Sequence, residues 1–158
     1  MNGVAVPLTE VVARGNWGTV ECAVRLAGDA PAKEFLEKDL EKIREKGKNE
    51  PQSTARARFM VLFQLMANHG TISAKRFKKE MGKLYTFTHE VRNLQIRFPC
   101  FPDGNRWILT HGFVKPGAQK GKGDWPASES ARAEQIMSEY LLRKKKAADE
   151  ADAKRRKS

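Results

Sequence analysis

Apolar positions along the chain follow two periods in turn. Val20, Cys22, Val24 and Leu26 alternate with Thr19, Glu21, Ala23 and Arg25, which predicts a half-buried strand over residues 17–26. Gly28-Asp29-Ala30-Pro31 interrupts it, and Pro31 suits the first turn of a helix. Over 31–46 the period lengthens. Leu36, Leu40 and Ile43 share one stripe, charged residues fill the rest, and Gly47 can end the helix in the left-handed conformation. A Ser53 or Thr54 cap then opens a second helix to about Asn68, with Phe59, Leu62, Phe63 and Met66 on its apolar face. The short polar loop between the two predicts an antiparallel αα-hairpin.

Beyond Gly70 the period returns to two. Residues 84–89 predict one strand, and Leu94, Ile96, Phe98 and Cys100, alternating with Gln95, Arg97, Pro99 and Phe101, predict another. Pro102-Asp103-Gly104-Asn105 is a turn, and 106–113 a third strand. Pro99 has no N–H to give a ladder, so it implies an edge or a bulge. A Gly/Lys-rich loop over 116–124 precedes a last helix over 127–146, in which Ala131, Ile136, Tyr140 and Leu141 are apolar. The expected class is α+β: a twisted, mainly antiparallel four-stranded sheet, an N-terminal αα-hairpin on one face and a C-terminal helix. Residues 1–15 read as a loose lead-in and 16–142 as the domain. From Arg143 to Ser158, eight Lys and Arg face three acids, the pattern of a solvated basic tail.

Composition adds limits. A chain of 158 residues, 40% apolar, is long enough for one core and too apolar for a wholly disordered protein. It has no apolar run of the roughly 18 residues that a membrane span needs. No charged segment precedes a long apolar stretch at the N-terminus, so no signal peptide is expected and the cytoplasm is the expected compartment. Cys22 and Cys100 form neither a CxxC nor a zinc spacing, which favours reduced thiols.

Charge changes the picture more. Lys and Arg number 30 against 19 Asp and Glu, a formal net charge of +11. Eleven of those cations lie between Lys75 and Gly123, with only Glu80, Glu90 and Asp103 against them. A basic sheet region of this kind is the electrostatic footprint of phosphate binding, and also the ordinary surface of a basic protein. Lys83, Arg92, Lys120 and Lys122 are its candidate RNA-binding cations. Arg97 is out of phase with Ile96 and Phe98, so it points off the core face, where Lys115 can join it if the strands are adjacent. Cleavage of RNA by its own 2′-OH needs a base, an acid and cations for the phosphorane charge. Arg97 and Lys115 suit the last role. His89 and His111, near strand ends, suit the first two, although each can equally be a hydrogen-bonded strand residue. His69 suits the end of a helix. No phosphate-loop glycine pattern, HExxH or GxSxG motif occurs, so neither a metal nor a cofactor is expected.

The segments Leu84-Tyr85-Thr86-Phe87, Ile96-Arg97-Phe98 and Leu109-Thr110-His111-Gly112-Phe113-Val114-Lys115, followed by Gln119-Lys120, resemble the RelE/ParE toxin superfamily. The likeness is greatest to its phage-derived HigB-like branch and covers roughly residues 18–141. The order helix, helix, strand, strand, strand agrees with it. The resemblance implies a RelE-like fold, a type II toxin neutralised by a helix-turn-helix antitoxin, and an mRNA interferase cleaving message in the A site of the 30S ribosomal subunit, so inhibiting translation. It assigns Arg97 to the scissile phosphate, matches Lys115 to a basic residue ending the last strand, and matches Lys120 to a lysine that follows it. Thr86 and Thr88 depart from the family, whose members usually carry charge there, and no tyrosine closely follows Lys115. A ParE-like gyrase inhibitor, or a non-catalytic nucleic-acid-binding relative, is the alternative reading.

Overall fold

The computed structural model describes residues 5–45, 53–116 and 125–157. The described residues form the strands β1 (Thr9–Arg14), β2 (Thr19–Ala23), β3 (Arg44–Glu45), β4 (Ser53–Thr54), β5 (Phe77–Met81), β6 (Leu84–Val91), β7 (Leu94–Asp103), β8 (Arg106–Leu109) and β9 (Phe113–Pro116). Seven form one sheet in the order β1-β2-β8-β7-β6-β5, with β9 beside β8 along the same edge of β7, while β3 and β4 form a separate pair. All pairings in the large sheet are antiparallel except β2 with β8. The class is α+β with a mixed sheet and a C-terminal helix.

The four expected strands are all present. The two extra strands at the sheet's ends, β1 and β5, lie where no alternation was legible. β1 occupies Thr9–Arg14 of the expected lead-in. A bulge between Val11 and Ala13 breaks its alternation. β5, Phe77-Lys78-Lys79-Glu80-Met81, is a charged edge strand of the kind that resists pairing with other chains. The expected single strand over 106–113 is two strands, interrupted at 110–112.

Tight turns set the hairpin registers. Arg92 and Asn93, with φ of 51° and 68°, make the two-residue turn between β6 and β7. Gly104, with φ of 63°, turns β7 into β8.

The helical hairpin is asymmetric. Pro31–Glu34 forms α1, which continues as a π turn over Phe35–Asp39 and a 3₁₀ turn over Leu40–Lys42. Ile43 is already extended, so the helix ends before the expected 46; Gly47 lies outside the described residues. α2 spans Ala55–His69 as the capping pattern predicts: the Thr54 hydroxyl accepts from Ala57 N–H, and Gly70, with φ of 77°, closes the helix.

Strand parity divides the core. One sheet face carries Val20, Cys22, Phe87, Ile96, Phe98, Cys100 and Leu109 against Leu36, Leu40, Phe59, Phe63 and Met66. Phe98 meets Phe59 and Phe63 edge-on at centroid distances of 4.9 and 5.4 Å, and those two rings lie 5.9 Å apart, tilted to each other. The other face carries Ala23, Leu84, Phe101, Ile108 and Phe113, covered by Ala133, Ile136 and Tyr140 of α3 (Ala127–Lys157). Ala131 and Leu141, expected on the apolar stripe, are exposed. Among the described residues, no helix is long and apolar enough to cross a membrane.

α3 runs eleven residues past the expected end at 146, and its basic segment is tied down at its start rather than solvated throughout. Arg143 donates to the carbonyls of Val6, Pro7 and Val24, and Lys144 Nζ lies 2.7 Å from both Asp103 carboxylate oxygens. Arg106 and Tyr140 also donate to Asp103, so the β7–β8 turn is stapled to α3 by one carboxylate. Burial pushes Asp103 up, but hydrogen bonds from Lys144 and Tyr140 and the charges of Lys144 and Arg106 outweigh it and hold the carboxyl below 3.8. A depressed carboxylate stabilises the fold fully above its unfolded value and loses that contribution as pH falls through its folded value. Acid should therefore loosen α3 first. Asp103→Asn should cost about 1–2 kcal/mol and speed amide exchange in α3 around Ile136 and Tyr140 at neutral pH. Unchanged exchange there would show that apolar contacts alone hold the helix.

Candidate functional site

β7 meets β8 and β9 in two different registers. Cys100 lies opposite Leu109, but Arg97 lies opposite Phe113, so Thr110, His111 and Gly112 face only Phe98 and Pro99. This is the bulge that Pro99 implied. A one-residue shift moves every later side chain to the opposite face. Val114 consequently packs with the α2-side core, while Phe113 and Lys115 turn toward α3. In the unshifted register Lys115 would share a face with Ile96 and Phe98. With the shift it is the diagonal neighbour of Arg97, at a spacing of about 7–8 Å. Gly112 has a steric reason to be glycine, since a Cβ there would come within 2.1 Å of the Phe35 ring.

Arg97 points off the α2 face as its phase predicts, yet it is not at the surface. It is 7% exposed and Lys115 is 1% exposed. One guanidinium nitrogen of Arg97 donates to Gln95 Oε1 at 3.0 Å, another lies 3.6 Å from Glu80 Oε1, and Nε has no partner. Among the described residues, Lys115 Nζ has no hydrogen-bond partner. Among the described residues, Glu80 is the only carboxylate within ion-pair distance of either cation. Among the described residues, two buried cations thus stand against one carboxylate, and Arg97 Nε and Lys115 Nζ have no hydrogen-bond partner. Buried charge is costly unless paired.

His111 lies under α3, fully buried and stacked on Phe113 at 5.6 Å. Burial, and then the charge of Arg132, push its imidazole down to about 4, so it is neutral at pH 7. Thr110 Oγ1 donates to Pro99 O and lies 3.0 Å from His111 Nδ1. Nε2 lies 3.2 Å from Oε1 of Glu129, whose carboxyl burial pushes above its ordinary value. Both ring nitrogens of His111 therefore have a partner within the fold.

His89 lies opposite Ile96, one step out of phase with Thr88 and Arg97, and faces α2, with its ring 6.0 Å from Phe59. Parity separates it from the cations it was expected to join. Lys83 and Arg92 are exposed at opposite ends of β6, roughly 30 Å apart at ~3.3 Å per residue, so they do not converge on one phosphate. Lys120 and Lys122 lie outside the described residues. Thr86 and Thr88 line the same face as Arg97, and Thr86 is buried. Trp125 packs edge-on against Phe113.

Cys22 and Cys100 both lie opposite Leu109, on the two strands flanking β8. Strand spacing puts them about 10 Å apart, too far for a disulfide. Burial pushes the Cys22 thiol up to about 12 and raises Cys100 as well, which leaves neither reactive.

Two residues of this cluster, Glu80 and Gln95, were not legible as functional, because neither belongs to a motif and Glu80 falls in an edge strand without alternation. If Lys115 is an unpaired buried cation, Lys115→Met should raise the unfolding free energy by about 1–3 kcal/mol, the cost of one unsatisfied buried polar group. A destabilised Lys115→Met protein would show that the ammonium is already compensated. No family model, curated protein or solved structure matches this chain.

Proposed function

We propose that the chain is a toxin of the RelE/HigB-like kind: a ribosome-dependent endoribonuclease that cuts message by attack of the RNA's own 2′-OH. One observation carries the reading. Arg97 and Lys115, the cations that the resemblance assigns to the scissile phosphate and the last strand, lie side by side on one face, with nitrogens that lack acceptors. A phosphorane gains charge on its non-bridging oxygens as the 2′-oxygen attacks. Cations fixed in a low-dielectric setting stabilise that charge more than the same groups in water. Arg97 offers Nε and one terminal nitrogen as a fork, and Lys115 a point charge. Two helical segments followed by a run of strands and a C-terminal helix also support the reading, although two strands precede the helices and a short strand pair separates them.

A non-catalytic RNA-binding relative is the second reading. It is favoured by the placement of the histidines: His89 faces away from the cations, and both nitrogens of His111 are engaged. The proposed partners are message in the A site of the 30S subunit and a helix-turn-helix antitoxin.

Induced expression should arrest growth and leave cut ends in ribosome-bound message. Arg97→Ala should lower cleavage about 10²–10³-fold, by analogy with removing one donor from an oxyanion hole. Arg97→Lys should restore only part of it, because an ammonium lacks the fork. Translation arrest without cut ends would favour the second reading. Arrest with intact translation and lost supercoiling would contradict both.

A further inference from the structure

We infer that Glu80 is an internal stand-in for the substrate phosphate, a carboxylate that occupies Arg97 until an RNA phosphodiester displaces it. The inference rests on the proposed anion site and adds to it a resident competitor. Three features of Glu80 carry it. First, its aim results from a second bulge. Lys79 lies opposite Tyr85 and Met81 opposite Leu84, so Glu80 is the extra residue of β5, and such residues re-aim a side chain. Its side chain is 13% exposed and reaches across β6 to a guanidinium that is itself 9% exposed.

Second, the contact is loose. At 3.6 Å it is an ion pair beyond hydrogen-bond range, and it leaves Arg97 Nε unpartnered. A phosphate in the same position can take two N–H groups of the fork at once and also neutralise Lys115. Third, Glu80 sits on an edge strand paired on one side only, where local opening costs least. Exchange of one anion for another then lets a buried site accept a phosphate without leaving Arg97 unpaired in the free protein. The ligand class is a single phosphate group. Two anions at once would reverse the imbalance.

The test measures inorganic phosphate binding by calorimetry, in chloride at low ionic strength, for the wild-type protein, Glu80→Gln and Arg97→Ala. Glu80→Gln should bind phosphate roughly ten- to a hundredfold more tightly, the span expected when one charge-assisted contact no longer competes. Arg97→Ala should lose binding. Glu80→Gln leaves two buried cations unpaired, so thermal unfolding in chloride and in phosphate accompanies the titration. Phosphate should raise its midpoint more than that of the wild type. If Glu80→Gln binds no more tightly while Arg97→Ala loses binding, the stand-in role is overturned and the anion site remains. If Arg97→Ala binds phosphate as the wild type does, the anion site itself is overturned. A Glu80→Gln protein that stays unfolded in saturating phosphate also overturns the inference, since phosphate should replace the missing carboxylate.

Discussion

A one-residue mismatch between β7 and its partner strands decides which side chains share a face with Arg97. Three residues, Thr110–Gly112, are accommodated opposite Phe98 and Pro99. Pro99 sits where the ladder breaks and has no N–H to offer it. Its carbonyl instead accepts from both the backbone and the hydroxyl of Thr110. Gly112 completes the break by letting Phe35 approach the backbone. Everything after the break is inverted relative to what precedes it. Leu109 belongs to the α2-side core, and Phe113 and Lys115 belong to the α3 side. Without that inversion Lys115 would be driven into the phenylalanine cluster, and Arg97 would have no second cation beside it.

The charge imbalance follows from the same geometry. Each of two bulges delivers one ionised side chain to a largely covered face, Lys115 from β9 and Glu80 from β5. Arg97 comes from the regular strand between them. On the α3 side of the sheet, Phe113 and Trp125 pack with the start of that helix, and the Asp103 staple ties its middle to the β7–β8 turn.

Sequence reasoning reached the parts of the fold in which a period persists. The alternation of Ile96, Phe98 and Cys100, the apolar face of α2 and the Thr54 cap all appear where the pattern placed them. It failed where one residue breaks the period. β1 has its bulge among Val11, Val12 and Ala13, β5 is a solvated edge, and the 110–112 break splits a strand that reads as continuous. The site was legible in the same uneven way. Phase placed Arg97 off the α2 face but could not foresee that it would be buried there. His89 lies near a strand end, as expected, but strand parity puts it on the opposite face. Lys115 was reached through its place at the strand's end, yet its face depends on a bulge that only Pro99 hinted at. Glu80 carried no signal, since a lone glutamate in a lysine-rich strand reads as surface.

The central claim is that Arg97 and Lys115 together form a site for one phosphate. A crystal structure determined in phosphate tests it most directly. The account predicts a single tetrahedral anion bridging the Arg97 guanidinium and Lys115 Nζ, with the Glu80 carboxylate moved off Arg97. Unoccupied cations, with Glu80 still against Arg97 at high phosphate concentration, would contradict it.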